Sequence, residues 1–106
     1  MDTERLLSEM VKRIREAAQP ERIILFGSRA RGDAREGSDF DIIVVKESDA
    51  PRYKRSVPLY TLLADLPAEV DILVYTPAEI AEWRNVRQAF VTTAVREGTV
   101  LYERAA

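Results

Sequence analysis

The 106-residue sequence contains no cysteine and no histidine. The first absence excludes disulfides and thiolate metal sites, and the second excludes imidazole ligands and any histidine-based catalytic triad. A metal ion would have to sit on oxygen ligands, which favours hard cations such as Mg²⁺ or Mn²⁺. No apolar run is long enough to cross a bilayer and no basic-then-apolar leader pattern opens the chain, so a cytoplasmic protein with no membrane partner is expected. An excess of positive charge is missing too: 16 basic residues face 18 acidic ones, a net charge of −2. Affinity for duplex DNA comes largely from neutralising phosphates, so stand-alone binding of duplex nucleic acid is not expected. Internal repeats, low-complexity tracts and linkers are absent as well.

What remains is an ordinary globular composition, 46% apolar and 32% charged, sized for one domain over residues 1–106. Leu6, Leu7, Met10, Val11, Ile14, Ala17 and Ala18 recur at three- and four-residue steps, predicting an amphipathic helix over Thr3 to Ala18. Gln19-Pro20 ends it, because the residue before a proline is pushed out of the α region. Ile23 to Phe26, Phe40 to Val45 and Val70 to Tyr75 are short apolar runs that read as buried strands. Arg52 to Leu66 has helical spacing, with Pro58 marking a start or a kink. Thr76-Pro77-Ala78-Glu79 reads as a capping box, opening a helical stretch that runs with a break near Asn85 to Glu97. Gly98 follows as a C-cap, and Thr99 to Tyr102 is either a last short strand or a packed tail. The order predicts an α/β (α+β) fold with one small sheet.

Two motifs lie close together in "FGSRARGDAREGSDFDIIV", Phe26 to Val44. Gly27 to Gly32 has the spacing of half a P-loop. Asp33 and Ala34 stand where its lysine and hydroxyl residue belong, so that reading fails. What survives is a glycine turn, the Ser28 hydroxyl and free backbone N–H groups at a strand-to-helix junction, a natural anion site that taken alone is also an ordinary turn. Asp39 and Asp41 are two apart. In a strand they share a face, roughly 6–7 Å apart along the chain. An EF-hand is excluded, since Ile43 and Val44 replace the third ligand and the glycine. Two readings stay open for this pair alone: a metal site, or Ser38-Asp39 capping a turn while Asp41 pairs with an arginine. Asp71, in "EVDILVY", is a third aspartate just inside an apolar strand. If its strand lies beside the other, about 5 Å away, three carboxylates converge at one end of the sheet. Such a group repels itself unless a cation joins it, and Mg²⁺ completed by substrate phosphates is the usual solution.

The stretch "GSRARGDAREGSDFDIIV" resembles the GSxxRG…SDxDxxV signature of the minimal nucleotidyltransferase domain, a member of the DNA polymerase β-like nucleotidyltransferase superfamily. The likeness extends over nearly the whole chain, including "AVREGTVLYE" at the end. It implies a mixed β-sheet with helices packed mainly on one face. It implies Asp39, Asp41 and Asp71 as catalytic, metal-binding residues, with Gly27, Ser28, Arg31 and Ser38 contacting a nucleoside triphosphate, ATP being the expected one. Two Mg²⁺ ions are implied with nucleotide bound, Mn²⁺ being the alternative ion. Arg31 or Arg29 would stabilise transition-state charge, or else be a solvated loop residue.

Relatives of this kind commonly act as antitoxins of a HEPN-domain toxin, in some cases by moving AMP from ATP onto a toxin tyrosine. That implies a protein partner and a hetero-oligomer. The rival readings are a binding antitoxin that masks the toxin without catalysis, and a small-molecule nucleotidyltransferase of the antibiotic-modifying kind. Elsewhere, Arg52, Lys54 and Arg55 read as a solvated helix end in preference to a contact for phosphates or an acidic partner, and Trp83, Phe90 and Tyr102 as core in preference to a partner-facing patch.

Overall fold

A computed structural model describes residues 2–35, 37–86 and 89–105. Helix α1 spans Thr3–Ala18, with Asp2 as its N-cap accepting from the Arg5 N–H at 2.8 Å. Leu6, Met10 and Ile14 are its buried stripe. It stops at Gln19, which stands ahead of Pro20 in the left-handed region at φ 48 and sends its N–H back to the Arg15 carbonyl. Strand β1 (Arg22–Phe26), the single-turn helix α2 (Ser28–Arg31) and strand β2 (Phe40–Val45) follow. The Arg52 to Leu66 stretch divides, as Pro58 predicted, into α3 (Arg52–Arg55) and α4 (Val57–Leu63), with the proline in the first turn of the second. Strand β3 is Val70–Tyr75, α5 is Pro77–Trp83, α6 is Phe90–Glu97 and β4 is Thr99–Glu103. The predicted break near Asn85 separates α5 from α6; Arg87 and Gln88, inside the same prediction, lie outside the described residues.

The sheet order is β3-β2-β1-β4. β1 is antiparallel to β2 and to β4, and β2 is parallel to β3, so the sheet is mixed. The parallel pair needs a crossover, which α3 and α4 supply. Residues of alternate parity face opposite sides. Ile23, Leu25, Phe40, Ile42, Val44, Ile72 and Val74 pack with α1 and α4 into the larger core. Ile24, Ile43, Val45 and Tyr75 pack with Val91 and Ala94 of α6 into a smaller one. Helices therefore cover both faces, with the main core on the α1/α4 side. Among the described residues no helix is long and apolar enough to cross a membrane.

The outer edge of β3 is closed by side chains. The Tyr60 hydroxyl accepts from the Ile72 N–H at 2.8 Å, and Arg55 donates to the Val74 carbonyl at 3.3 Å. Arg55 also donates to the Ala50 carbonyl at 2.8 Å and to the Glu79 carboxylate at 2.7 Å. Its side chain is only 10% exposed, so it is a structural tie and not the solvated helix end its neighbours suggested. Glu79 completes the capping box at Thr76, accepting the Thr76 N–H at 2.8 Å while its own N–H donates to the Thr76 hydroxyl. One further expectation is corrected, and Gly98 takes the expected C-cap position of α6. Trp83 and Phe90 are 44% and 56% exposed, and so lie outside the core. Gly98 is extended at φ −78, not left-handed. A side chain there would meet the Ala94 carbonyl and Ile24 Cγ2 at 2.6 Å, so glycine is required by space.

Hydrogen bonding from Arg55 holds the Glu79 carboxyl below the usual carboxylate range. A depressed folded pKa contributes stability that is present above the unfolded value and lost as pH falls through the folded one. Glu79→Gln keeps the cap but removes the charge, and should cost about 1 kcal/mol near neutral pH. The difference from wild type should begin to shrink as pH falls below about 4 and be lost only below the depressed folded value, as followed by urea unfolding at several pH values. Gly98→Ala should cost about 1–3 kcal/mol through overpacking, read from the same titrations at pH 7.

Candidate active site

Strand register builds the site. Asp41 is the cross-strand partner of Phe26 on β1 and of Asp71 on β3. Alternation puts Asp41 on the same face as Ile43 and Val45, and Asp71 on the same face as Leu73 and Tyr75. Both carboxylates thus leave the sheet toward the α6 side, within hydrogen-bonding reach of each other. Asp39 lies one residue ahead of β2, in the exposed end of the loop. Burial pushes the Asp41 carboxyl up, the charges of Asp71 and Asp39 add to this, and Arg31 opposes it. The three predicted aspartates therefore share one electrostatic environment. Among the described residues no three acidic side chains are grouped closely enough to hold an ion as they stand; the close pair is Asp41 with Asp71.

Gly27 ends β1 at φ 75, a conformation open to glycine and rarely to other residues. A Cβ at this position would run into the Asp41 carboxylate. The turn and the aspartate are consequently packed backbone against side chain, a cradle that any larger residue would fill. The Gly27 carbonyl accepts from the Ala30 and Arg31 N–H groups at 3.1 Å, while the first N–H groups of α2 have no partner within the helix. The half-buried Ser28 hydroxyl bonds to no described residue. As a donor set the pair fits a hard cation: like charges presenting oxygen atoms only, beside a turn with unspent N–H groups.

The remaining predicted residues have local roles. The Ser38 hydroxyl accepts from the Arg35 N–H at 2.9 Å and its N–H donates to the Arg35 carbonyl, closing a turn. Arg31 is exposed and paired with Asp33 at 3.3 Å. Arg29, weighed above as a transition-state cation, is instead a clamp. Its Nε and NH2 donate to the Ser38 carbonyl at 3.0 and 2.6 Å, and its guanidinium lies 3.9 Å from the centre of the Phe40 ring. It ties α2 to the residue preceding Asp39, linking the glycine turn to the aspartate loop. Nothing in its sequence spacing distinguishes it from Arg31. Arg29→Ala should destabilise by about 2 kcal/mol, and Arg29→Lys by nearly as much because an ammonium lacks the two-pronged fork. Urea titration of both variants checks this, and full recovery in the lysine variant would show that charge alone matters.

Residues 7–95 match the family model described as nucleotidyltransferase domain. The chain is 33% identical over 104 residues, 96% of its own length and all of the relative's, to MJ0604 of Methanocaldococcus jannaschii, a proposed protein adenylyltransferase. Solved structures share the fold. One is a proposed nucleotidyltransferase from Sulfolobus solfataricus, with a TM-score of 0.68 at 23% identity over 94% of this chain and 79% of that one. Another is a toxin–antitoxin crystallised with AMP-PNP, with a TM-score of 0.63 at 23% identity over 92% and 73% of the two chains. A third is the toxin–antitoxin MntA-HpeT as a double Asp→Glu mutant, with a TM-score of 0.60 at 21% identity over the same shares. A match over most of the chain, on a sheet that sets Asp41 against a glycine turn and beside Asp71, makes this protein a nucleotidyltransferase, a member of the nucleotidyltransferase domain family.

Proposed function

We propose that this protein transfers AMP from ATP to a hydroxyl of a partner protein, with Mg²⁺ as cofactor, and acts in the cytoplasm as the antitoxin of a HEPN-domain toxin. The observation that carries the chemistry is Asp41, packed against Gly27 on one side and set beside Asp71 on the other. Asp41 and Asp71 would hold the ion, with Asp39 closing on it from the loop. Once bound, Mg²⁺ or Mn²⁺ would offset the triphosphate's charge and acidify the acceptor hydroxyl. The Ser28 hydroxyl and the first N–H groups of α2 would take the outer phosphates. The acceptor oxygen attacks the α-phosphorus, the bond to the β-phosphate oxygen breaks, and pyrophosphate leaves. Asp71, the more exposed of the pair, is the candidate acceptor for the hydroxyl's proton.

A protein acceptor is supported by the relative MJ0604, a proposed protein adenylyltransferase, and an antitoxin role by the fold shared with the toxin–antitoxin structures. The HEPN partner follows from the signature resemblance. A second reading, neutralisation by binding alone, is favoured by the exposed Trp83, Val86 and Phe90, at 44%, 40% and 56%, around the α5–α6 connection.

Incubation with α-labelled ATP, Mg²⁺ and the protein encoded by the adjacent gene, as the proposed toxin, tests both readings. Wild type should label the toxin, and Asp41→Asn should lower the rate by at least roughly a hundredfold. Neutralisation that persists without label in Asp39→Ala/Asp41→Ala would replace the transferase reading with the binding one.

A further inference from the structure

The exposed face of α1 is sorted by charge. Toward its N-terminus a hollow is lined by Asp2, Glu4 and Glu9, with Arg5 and Lys12 opposing them. Toward its C-terminus Lys12, Arg15 and Arg104 line another, against Glu16 alone. Between the two lies an apolar groove, where Leu7 and Val11 meet Leu101 of β4. A bulge in β4 opposite Ile23 and Ile24 turns both Leu101 and Tyr102 toward α1, and the Arg15 guanidinium lies 4.4 Å from the centre of the Tyr102 ring. Glu4, Lys12 and Arg15 form no ion pair with any described residue. Beside this face β4 ends the sheet, and no described strand pairs with its outer edge. An unpaired edge is a template for another strand. The opposite edge, at β3, is plugged by Tyr60 and Arg55.

We propose that this face binds a second copy of the chain about a two-fold axis that runs perpendicular to the sheet near Leu101. The occupant follows from the order of the charges. α1 and β4 run in the same direction, since Leu7 and Val11 flank Leu101 while Gln19 lies beside Tyr102 and Arg104. The two-fold axis reverses that direction in the second copy. It sets the acidic end of each α1 against the basic end of the other, so that Glu4 of either copy faces Arg15 of the other. The apolar grooves meet at the axis, and β4 lies antiparallel to its counterpart. A surface acidic at one end, basic at the other and apolar between is complementary to itself, as an isologous contact requires. A partner of one charge would match only half of it. Asp41 and Asp71 lie toward the far end of the sheet and on its other face, so the contact leaves them open and does not depend on the reading of their chemistry.

Sedimentation equilibrium of the intact protein tests this. Wild type should be a dimer whose dissociation constant rises with salt, because the end contacts are exposed ion pairs. Glu4→Arg and Arg15→Glu should each weaken self-association about tenfold, since two attractions per dimer become repulsions. An equimolar mixture of the two variants should recover wild-type association, because every contact between unlike variants again joins opposite charges. A wild type that stays monomeric at its highest soluble concentration, a dimer that neither variant weakens, or a mixture that fails to recover would overturn the proposal. Should either reversal unfold the chain, Glu4→Gln and Arg15→Gln should each flatten the salt dependence of the dimer, and an unchanged dependence would overturn it in their place.

Discussion

The parallel pairing of β2 with β3 in a register that sets Asp41 opposite Asp71 is the constraint on which the rest depends. Slipping either strand by one residue would turn its aspartate to the α1/α4 side, into the larger apolar core. There a carboxylate could be neither solvated nor paired. The same slip would take Ile42 and Val44, or Ile72 and Val74, out of the larger core to the α6 side. Hydrophobic burial and the site's electrostatics therefore demand the same register. A mutually repelling pair of carboxylates is tolerated because the surrounding strands have no alternative arrangement of comparable burial.

Several ties keep that register from fraying. Tyr60 and Arg55 occupy the backbone groups on the open edge of β3, and Arg55 carries the restraint on to Glu79 and the start of α5. Such plugging also denies the edge to another chain. On the other side of β2, Arg29 reaches from α2 to the Ser38 carbonyl and covers Phe40. The site is thus gripped from both flanks by arginines whose own charges are used in hydrogen bonds to carbonyls and a carboxylate. Arg31, between Asp33 and a cleft lined by Gly27 and Phe90, is the cation left facing the site from α2.

Much of the architecture was legible because it rests on local rules. The span of α1, the bounds of β2 and β3, the division at Pro58 and the Thr76 capping box follow from periodicity, proline geometry and side-chain capping, all effects of a few neighbouring residues. The likeness of "GSRARGDAREGSDFDIIV" to a known signature singled out Asp39, Asp41 and, further on, Asp71; register pairs the last two and leaves Asp39 in the loop. Where local rules failed, a distant group had intervened. Gly98 follows a helix as a C-cap should, yet it is glycine because Ile24 and the Ala94 carbonyl leave no room. Arg55 lies in a basic run like a solvated helix end, yet Glu79, far along the chain, buries it. Trp83 and Phe90 are aromatic in a small domain and still face outward.

By itself, then, the sequence determined the elements, the order in which they occur and the residue types from which any site could be made: carboxylates, a glycine turn and hydroxyls, with neither sulfur nor imidazole. Those properties are fixed by covalent chemistry and by interactions within a turn or a strand. Tertiary structure alone decided which arginine clamps and which faces the site, and that the close pair is Asp41 with Asp71 while Asp39 stands in the loop. It also set an aromatic cleft between β1 and α6 beside the glycine turn. Each of these is a contact between segments far apart in the chain, and such contacts exist only once the strands have paired and the helices have chosen their faces.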